Sequence, residues 1–428
     1  MGSARDVGRN DVADTVDGMG TVETRRLIRG AGGAGWTSVE ALRPEDGLAL
    51  WAYEPRRLLN AVACGAGTVF VSTRVAHVPE RDREEPADIV ALRASDGVAL
   101  WRMQPEQLRW RLMWPRVACG LRVAFGQFSL TSARRAVRSL RLAGRLSLTA
   151  DGDLLLACAG PVLFAFDAAT GAFRWVTPPL LNQDRHVFAV RGGRIYVAGE
   201  RGGLEALDAR TGTRHWAAER LGVPFRLAAG DALVYVHASK RGGPFLATLR
   251  AEDGTQLRTH ALRAELRAGE DEELVVALTN DGVAVLLRSR QLQSIRLDDG
   301  EVLWRSGRLE AMREDAAGRP ISVPQVAVAG RLLAYAYTAF DDTARTHRLH
   351  VGALDTLSGA SLWKWHGPER PWPLQGSQHL VVAFGNVYLS THDGAYAFGG
   401  DGRALWTTPP GFDVAFIGAT LAEAEHMR

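Results

Sequence analysis

Cysteine is scarce in this chain of 428 residues: there are three, Cys64, Cys119 and Cys158, far apart and odd in number. No CxxC, CxxCH or adjacent Cys-Cys pair occurs. That argues against a disulfide framework, a cysteine zinc site and a c-type haem. The three thiols are expected to behave as small buried hydrophobes in strands. Lysine is scarcer still, with Lys240 and Lys364 standing against 49 arginines, so nearly every basic group is a planar guanidinium fork. Charge of one sign is also lacking: the net charge of +3 is too small to imply a nucleic-acid partner. No apolar run approaches the roughly 18 residues of a membrane span. The N-terminal stretch carries Asp6, Asp11, Asp14, Asp17 and Glu23 without an apolar run, so it does not read as a secretory signal. As given, the chain is expected in the cytoplasm, and in the periplasm only if a leader has been removed. Helical periodicity is nearly absent as well.

What is present in quantity is a repeated phrase. FDAATGAFRW (166–175) is followed by LDARTGTRHW (207–216), and the skeleton is Ala-x-Asp-x-x-Thr-Gly-x-x-x-Trp. It recurs eight times, with glycines at Gly47, Gly97, Gly171, Gly212, Gly254, Gly300, Gly359 and Gly402. Seven copies end in a tryptophan four residues later: Trp51, Trp101, Trp175, Trp216, Trp304, Trp363 and Trp406. The fifth copy has Arg258 there. Upstream of each glycine, short runs rich in Val, Ile, Tyr and Phe alternate with Gly-rich turns, which reads as three strands, with a fourth running through the tryptophan. The glycine-to-glycine interval is shortest from Gly171 to Gly212 and longest from Gly97 to Gly171, and most intervals lie near the short end. A spacing of roughly 40–45 residues is that of a four-stranded propeller blade. The glycine is expected at positive φ in the turn between strands three and four. The tryptophan is expected on the outer strand, where its ring covers the seam to the next blade and offers one N–H.

The copies also split into two chemical sets. Three have Asp four residues before the glycine and a hydroxyl one before it: Asp167 with Thr170, Asp208 with Thr211, and Asp355 with Ser358. Four have Arg and Asp at those places: Arg43 with Asp46, Arg93 with Asp96, Arg250 with Asp253, and Arg296 with Asp299. The two side chains are expected to meet across the turn, by hydrogen bond in one set and ion pair in the other.

These residues resemble the tryptophan-docking repeat of the quinoprotein (PQQ-like) β-propeller superfamily over about residues 36 to 420. The resemblance implies an all-β chain: a single eight-bladed propeller of four-stranded antiparallel blades, its ring closed by N- and C-terminal strands. The tail FDVAFIGATL (412–421) is expected to add a strand to the first blade, which removes exposed edges. Three parts follow: a flexible segment over 1–35, the propeller over 36–421, and a tail over 422–428. SLRLAGRLSL (139–148) alternates as a strand and could form an extra hairpin in the long interval before Gly171.

The superfamily contains both enzymes and scaffolds, and this chain lacks the enzymes' marks. It has no Cys-Cys pair, no haem motif and no DxDxDG calcium loop. His347 and His350, with His366, His379 and His392 following, do not have a spacing that converges on one metal. DDT (341–343) and RED (313–315) read as solvated charges, and GGAG (32–35) as a linker rather than a phosphate loop. No catalytic residue, cofactor or metal is therefore expected.

Up-and-down topology puts the strand 2–3 and interblade connections on one face and the tight turns on the other. The long segments 78–88, 104–116, 305–325, 338–350 and 364–376 map to the first face, as a scaffold presenting binding loops would place them. Trp110, Trp114, Trp365 and Trp372 lie in two of these segments, beside Arg or Pro, and are the candidate partner-binding residues. The competing reading of the same tryptophans is that they plug interblade seams. Arg134, Arg135, Arg138, Arg141 and Arg145 form the one basic run, read as a strand edge. The expected function is a non-catalytic scaffold that holds another protein. A ligand-sensing propeller and a PQQ/calcium dehydrogenase are the alternatives that the resemblance leaves open.

Overall fold

The computed structural model describes residues 23–31, 38–55, 58–65, 67–74, 88–104, 146–159, 162–177, 188–198, 203–219, 221–240, 243–262, 274–288, 291–309, 324–341, 344–370, 379–391, 394–408 and 414–423. Among these residues there is no helix. They form an all-β propeller of four-stranded antiparallel blades.

Seven sheets are each built from four consecutive strands. Sheet 1 is the composite one. It holds β1 (Glu23–Ala31), β2 (Ser38–Leu42), β3 (Ala49–Tyr53) and, from the far end of the chain, β32 (Val414–Glu423), in the order β3-β2-β1-β32. Sheet 2 holds β4 (Leu58–Gly65), β5 (Thr68–Arg74), β6 (Ile89–Arg93) and β7 (Ala99–Met103). Sheet 3 holds β8 (Leu146–Asp151), β9 (Leu154–Ala159), β10 (Val162–Asp167) and β11 (Phe173–Val176). Sheet 4 holds β12 (Phe188–Arg191), β13 (Arg194–Ala198), β14 (Leu204–Asp208) and β15 (Arg214–Ala218). Sheet 5 holds β16 (Val223–Ala229), β17 (Leu233–Lys240), β18 (Gly243–Arg250) and β19 (Gln256–Ala261). Sheet 6 holds β20 (Leu274–Leu278), β21 (Val283–Arg288), β22 (Gln291–Arg296) and β23 (Val302–Arg308). Sheet 7 holds β24 (Gln325–Ala329), β25 (Leu332–Asp341), β26 (Thr346–Asp355) and β27 (Ser361–His366). Sheet 8 holds β28 (His379–Ala383), β29 (Asn386–Thr391), β30 (Gly394–Phe398) and β31 (Ala404–Thr407).

The core lies between sheets, because period-two alternation sends each middle strand's side chains into both neighbouring seams. On β10, Leu163 and Ala165 face sheet 4, while Val162, Phe164 and Phe166 face sheet 2. Apolar clusters of this kind fill every neighbouring pair, from sheets 1 and 2 (Val39, Val69, Leu92) to sheets 8 and 1 (Tyr388, Ala397, Leu42). First strands approach one another at the inner edge, β28 with β32 and β32 with β4 among them, so β32 occupies the first-strand position of sheet 1.

Three expectations need correction. The stretch 1–35 is not wholly a flexible segment, and the propeller does not begin at residue 36. β1 runs over Glu23–Ala31, pairs with β2 on one side, and is antiparallel to β32 on the other. Its register runs from Glu23 opposite Glu423 to Ala31 opposite Val414, so the added strand reaches beyond residue 421. Segment 338–350 is not a loop but the end of a long hairpin, in which Ala339 pairs with Arg348 and Asp341 with Thr346. In the long interval before Gly171, the next described strand after β7 begins at Leu146; residues 105–145, including the basic run and most of 139–148, lie outside the described residues.

Candidate functional site

The eight repeat turns share one geometry. All eight glycines have positive φ, between 67° and 84°. Seven carry an indole from the preceding sheet directly over the Cα: an added Cβ would stand 2.5–2.8 Å from Trp406 at Gly47, from Trp51 at Gly97 and from Trp216 at Gly254, for example. Only glycine satisfies both the dihedral and the close approach. Each indole also donates its N–H to a backbone carbonyl of the next sheet's turn. Trp51 donates to Ala94 at 2.9 Å, Trp175 to Ala209 at 2.9 Å, Trp304 to Thr356 at 2.7 Å and Trp406 to Pro44 at 2.9 Å. Trp101, Trp216 and Trp363 do the same to Ala168, Ala251 and Gly400. The bond from Trp406 joins sheet 8 to sheet 1 across 362 residues of chain.

The seam between sheets 5 and 6 is sealed differently. Arg258 donates to the Asp299 carbonyl and stands 3.9 Å from where a Gly300 Cβ would be. The carbonyl three residues before the glycine, that of Leu297, is reached instead by the buried Thr248 hydroxyl at 3.1 Å. Thr248 is the cross-strand partner of Arg258. The partners of the seven tryptophans are Ala41, Ala91, Ala165, Ala206, Ser294, Ala353 and Ala397. A hydroxyl therefore stands in for the missing indole N–H.

The two turn chemistries meet as their residue types require. Arg43 and Asp46 pair at 3.0 Å, Arg93 and Asp96 at 3.0 Å, Arg250 and Asp253 at 2.9 Å, and Arg296 and Asp299 at 2.8 Å. In the other set, Thr170 donates to Asp167 at 2.7 Å, Thr211 to Asp208 at 2.7 Å and Ser358 to Asp355 at 3.0 Å. The Arg174 guanidinium, hydrogen-bonded to Asp167, and then the Thr170 hydroxyl hold the Asp167 carboxyl down at about 2. Asp355 is likewise held at about 2 by the Ser358 backbone N–H first, with the Ser358 hydroxyl and Arg331 adding to it. Cys64 and Cys158 lie as thiols in strands β4 and β9, and burial pushes both up to about 12. Cys119 lies outside the described residues.

The two faces differ as topology requires. Turns between strands 3 and 4 are short, none longer than residues 43–48, and the 1–2 turns are shorter. The connections 75–88, 104–145, 309–324 and 367–378 all leave from the other face.

The four candidate tryptophans are not brought together among the described residues. Trp110, Trp114 and Trp372 lie outside them. Trp365 is not in a loop: it sits on β27, two residues after Trp363 and so on the same face. Its half-buried ring packs on Tyr396 and Phe398 of sheet 8, with centroids 5.4 and 5.1 Å apart. It takes the seam-plugging place that was the competing reading. His347 and His350 lie on β26 and His366 on β27, while His392 is outside the described residues. His350 and His366 are cross-strand partners with their Nδ1 atoms 3.0 Å apart. The HxxH spacing does not reveal that pair, because it joins two strands.

A family model described as outer membrane protein assembly factor BamB matches residues 85–281. The BamB of Moranella endobia (strain PCIT) is 29% identical over 242 residues, which is 54% of this chain and 54% of that protein. Over those residues this chain resembles BamB, and its repeats resemble those of PQQ-type propellers. The match spans about half the length of that relative. Among solved structures, apo AztD from Citrobacter koseri aligns with 94% of this chain and 100% of its own, at 9% identity and a TM-score of 0.53. The computationally designed Ika8 protein aligns with 90% of this chain and 96% of its own, at 11% identity and a TM-score of 0.51. At those identities the two structures support the fold alone. No helix among the described residues is long and apolar enough to cross a membrane.

Proposed function

We propose that this BamB-like propeller is a non-catalytic scaffold that holds another protein during outer-membrane protein assembly, the process named for its curated relative. The observation that carries the reading is the asymmetry of the faces. One is closed by short turns locked by Asp–hydroxyl or Arg–Asp pairs, and the other gives rise to every long connection. Rigid sheets carrying long connections on one side suit a docking surface. On this reading the eight sheets make one closed eight-bladed ring, with β1 and β32 completing the first blade. Closure leaves the long connections as the variable part. Trp110, Trp114 and Trp372 are the partner-binding residues, and Trp365 supports the seam between sheets 7 and 8. The role places the chain outside the cytoplasm, against the cytoplasmic expectation drawn from its acidic N-terminal stretch.

The test is site-specific photo-crosslinking in the native host. A crosslinker at positions 110, 114 and 372 should capture one protein of defined mass. Crosslinkers at Arg210 and Glu252, exposed in the tight turns, should not. Equal capture from both faces, or capture from the turns alone, refutes the docking face.

A further inference from the structure

Between sheets 6 and 7 lies a cleft of about 170 Å³. That is room for about five waters at their liquid volume of roughly 30 Å³ each, or for one small molecule. A bulge opens it. On β23 the register slips between the pairs Gln291–Arg308 and Gln293–Arg305. Ser306 stabilises the slip by accepting from the Leu292 N–H at 3.0 Å and donating to the Gly307 carbonyl at 2.7 Å. A Cβ at Gly307 would touch nothing within 4 Å. Bulges of this kind re-aim strands beside functional sites.

The floor of the cleft is buried and flat: Tyr337 is 3% exposed, His350 9%, and their rings stack at 5.0 Å. His366 reaches the His350 Nδ1 from β27. The rim carries Arg308 from β23 and Lys364, one of the chain's two lysines, from β27. Among the described residues, no acidic side chain lines the cleft. Along the strand that carries His350, the Glu369 carboxylate is engaged by Arg348.

We infer that this cleft is a binding site for a small phosphate-bearing molecule. Arg308 and Lys364 supply charge from two sheets, the Ser306–Gly307 bulge and Ser361 supply polar groups at close range, and the His350–His366 pair brings imidazole nitrogens to the floor. Donors converging from β23, β26 and β27 suit a tetrahedral oxyanion with two charges better than a flat, singly charged carboxylate. Lysine acts there as a point charge and arginine as a fork.

The experiment is calorimetric titration of the full chain with inorganic phosphate and with glycerol 3-phosphate at constant ionic strength, followed in parallel by the imidazole NMR signals of His350 and His366. One saturable site that moves both histidines is expected, with acetate at least tenfold weaker. Lys364→Ala and Arg308→Ala should each weaken binding about tenfold, equivalent to about 1.4 kcal/mol. Gly307→Leu, which keeps every charge but fills the cleft, should abolish binding. Arg191→Ala, at a distant exposed ion pair, should leave it unchanged. Vesicles of phosphatidylglycerol separate the sources: capture by vesicles that is lost in the same variants assigns the phosphate to a lipid headgroup, and binding of the soluble phosphates alone assigns it to a free metabolite. Absence of saturable binding, equal binding of phosphate and acetate, or binding unaffected by Lys364→Ala and Gly307→Leu overturns the inference.

Discussion

If the Thr248 hydroxyl replaces an indole N–H at the seam between sheets 5 and 6, Thr248 and Arg258 should be energetically coupled. Thr248→Ala leaves the Leu297 carbonyl without its side-chain donor at a residue only 3% exposed, and leaves a void the size of the lost atoms. An unsatisfied buried acceptor costs about 1–3 kcal/mol. Arg258→Trp alone asks an indole to share that carbonyl with Thr248 and to lie where the other sheets have Ala or Ser, which is overpacking at about 1–3 kcal/mol. The double variant rebuilds the arrangement of the other seven seams. Burying about half of a tryptophan's roughly 200 Å² over Gly300 is worth about 2.5 kcal/mol, less what the Arg258 stem already covers. The expected cycle is two destabilised single variants and a double variant close to the parent, with a favourable coupling of at least about 2 kcal/mol. Denaturant unfolding followed by circular dichroism reads it without interference from the added fluorophore. A cost for Thr248→Ala below about 0.5 kcal/mol, the low end for any hydrogen bond that contributes to stability, would sink the reasoning. Simple additivity of the two changes would do the same.

Two other outcomes test the turn mechanics. Gly212→Ala places a Cβ at positive φ and 2.6 Å from the Trp175 ring, so it should cost about 2–4 kcal/mol by combining backbone strain with loss of the indole bond to Ala209. Gly193→Ala has the same φ of 71° but open space, and should cost only about 1–2 kcal/mol in the same unfolding assay. Asp167 falls from an ordinary 3.8 to about 2 on folding, so the stability it adds is complete above pH 3.8 and is lost as pH falls through about 2. Asp167→Asn should therefore flatten the acid limb of urea stability between those pH values while leaving its slope above pH 5 unchanged.

The sequence reading succeeded where a feature was local and failed where it was not. The glycine turns, the docking tryptophans and the two turn-pair chemistries all lie within short windows, and eight copies served as their own alignment. β1 was missed because ETRRLIRGA carries no strong alternation. It pairs with the neighbouring β2 along one edge only from Leu27 onward; along its whole length its partner is β32, at the far end of the chain, which no local window contains. The 338–350 hairpin looks like a loop in the sequence because Asp341, Asp342 and Arg345 at its tip interrupt the apolar alternation. Yet its residues simply continue the pairing of Leu333 with Leu354 out to Asp341 and Thr346.

Trp365 shows how the same period-two rule, applied strictly, sorts structural from functional residues in this fold. On β27 beyond its register shift after Ser361, odd-numbered positions face sheet 8, so Trp363 and Trp365 share the seam with Phe398. Even-numbered positions face sheet 6, so Lys364 and His366 must look toward the bulge of β23. A tryptophan flanked by Lys and His on a docking strand thus divides into an apolar seam and a basic wall by parity alone. In the fifth repeat Arg258 and His260 likewise share parity, and both come within about 4 Å of a Gly300 Cβ. The positions that departed from the repeat are those where one side of a seam had stopped being purely apolar. In a propeller whose other seams are sealed by an indole on a glycine, such departures are the places to look for chemistry other than folding.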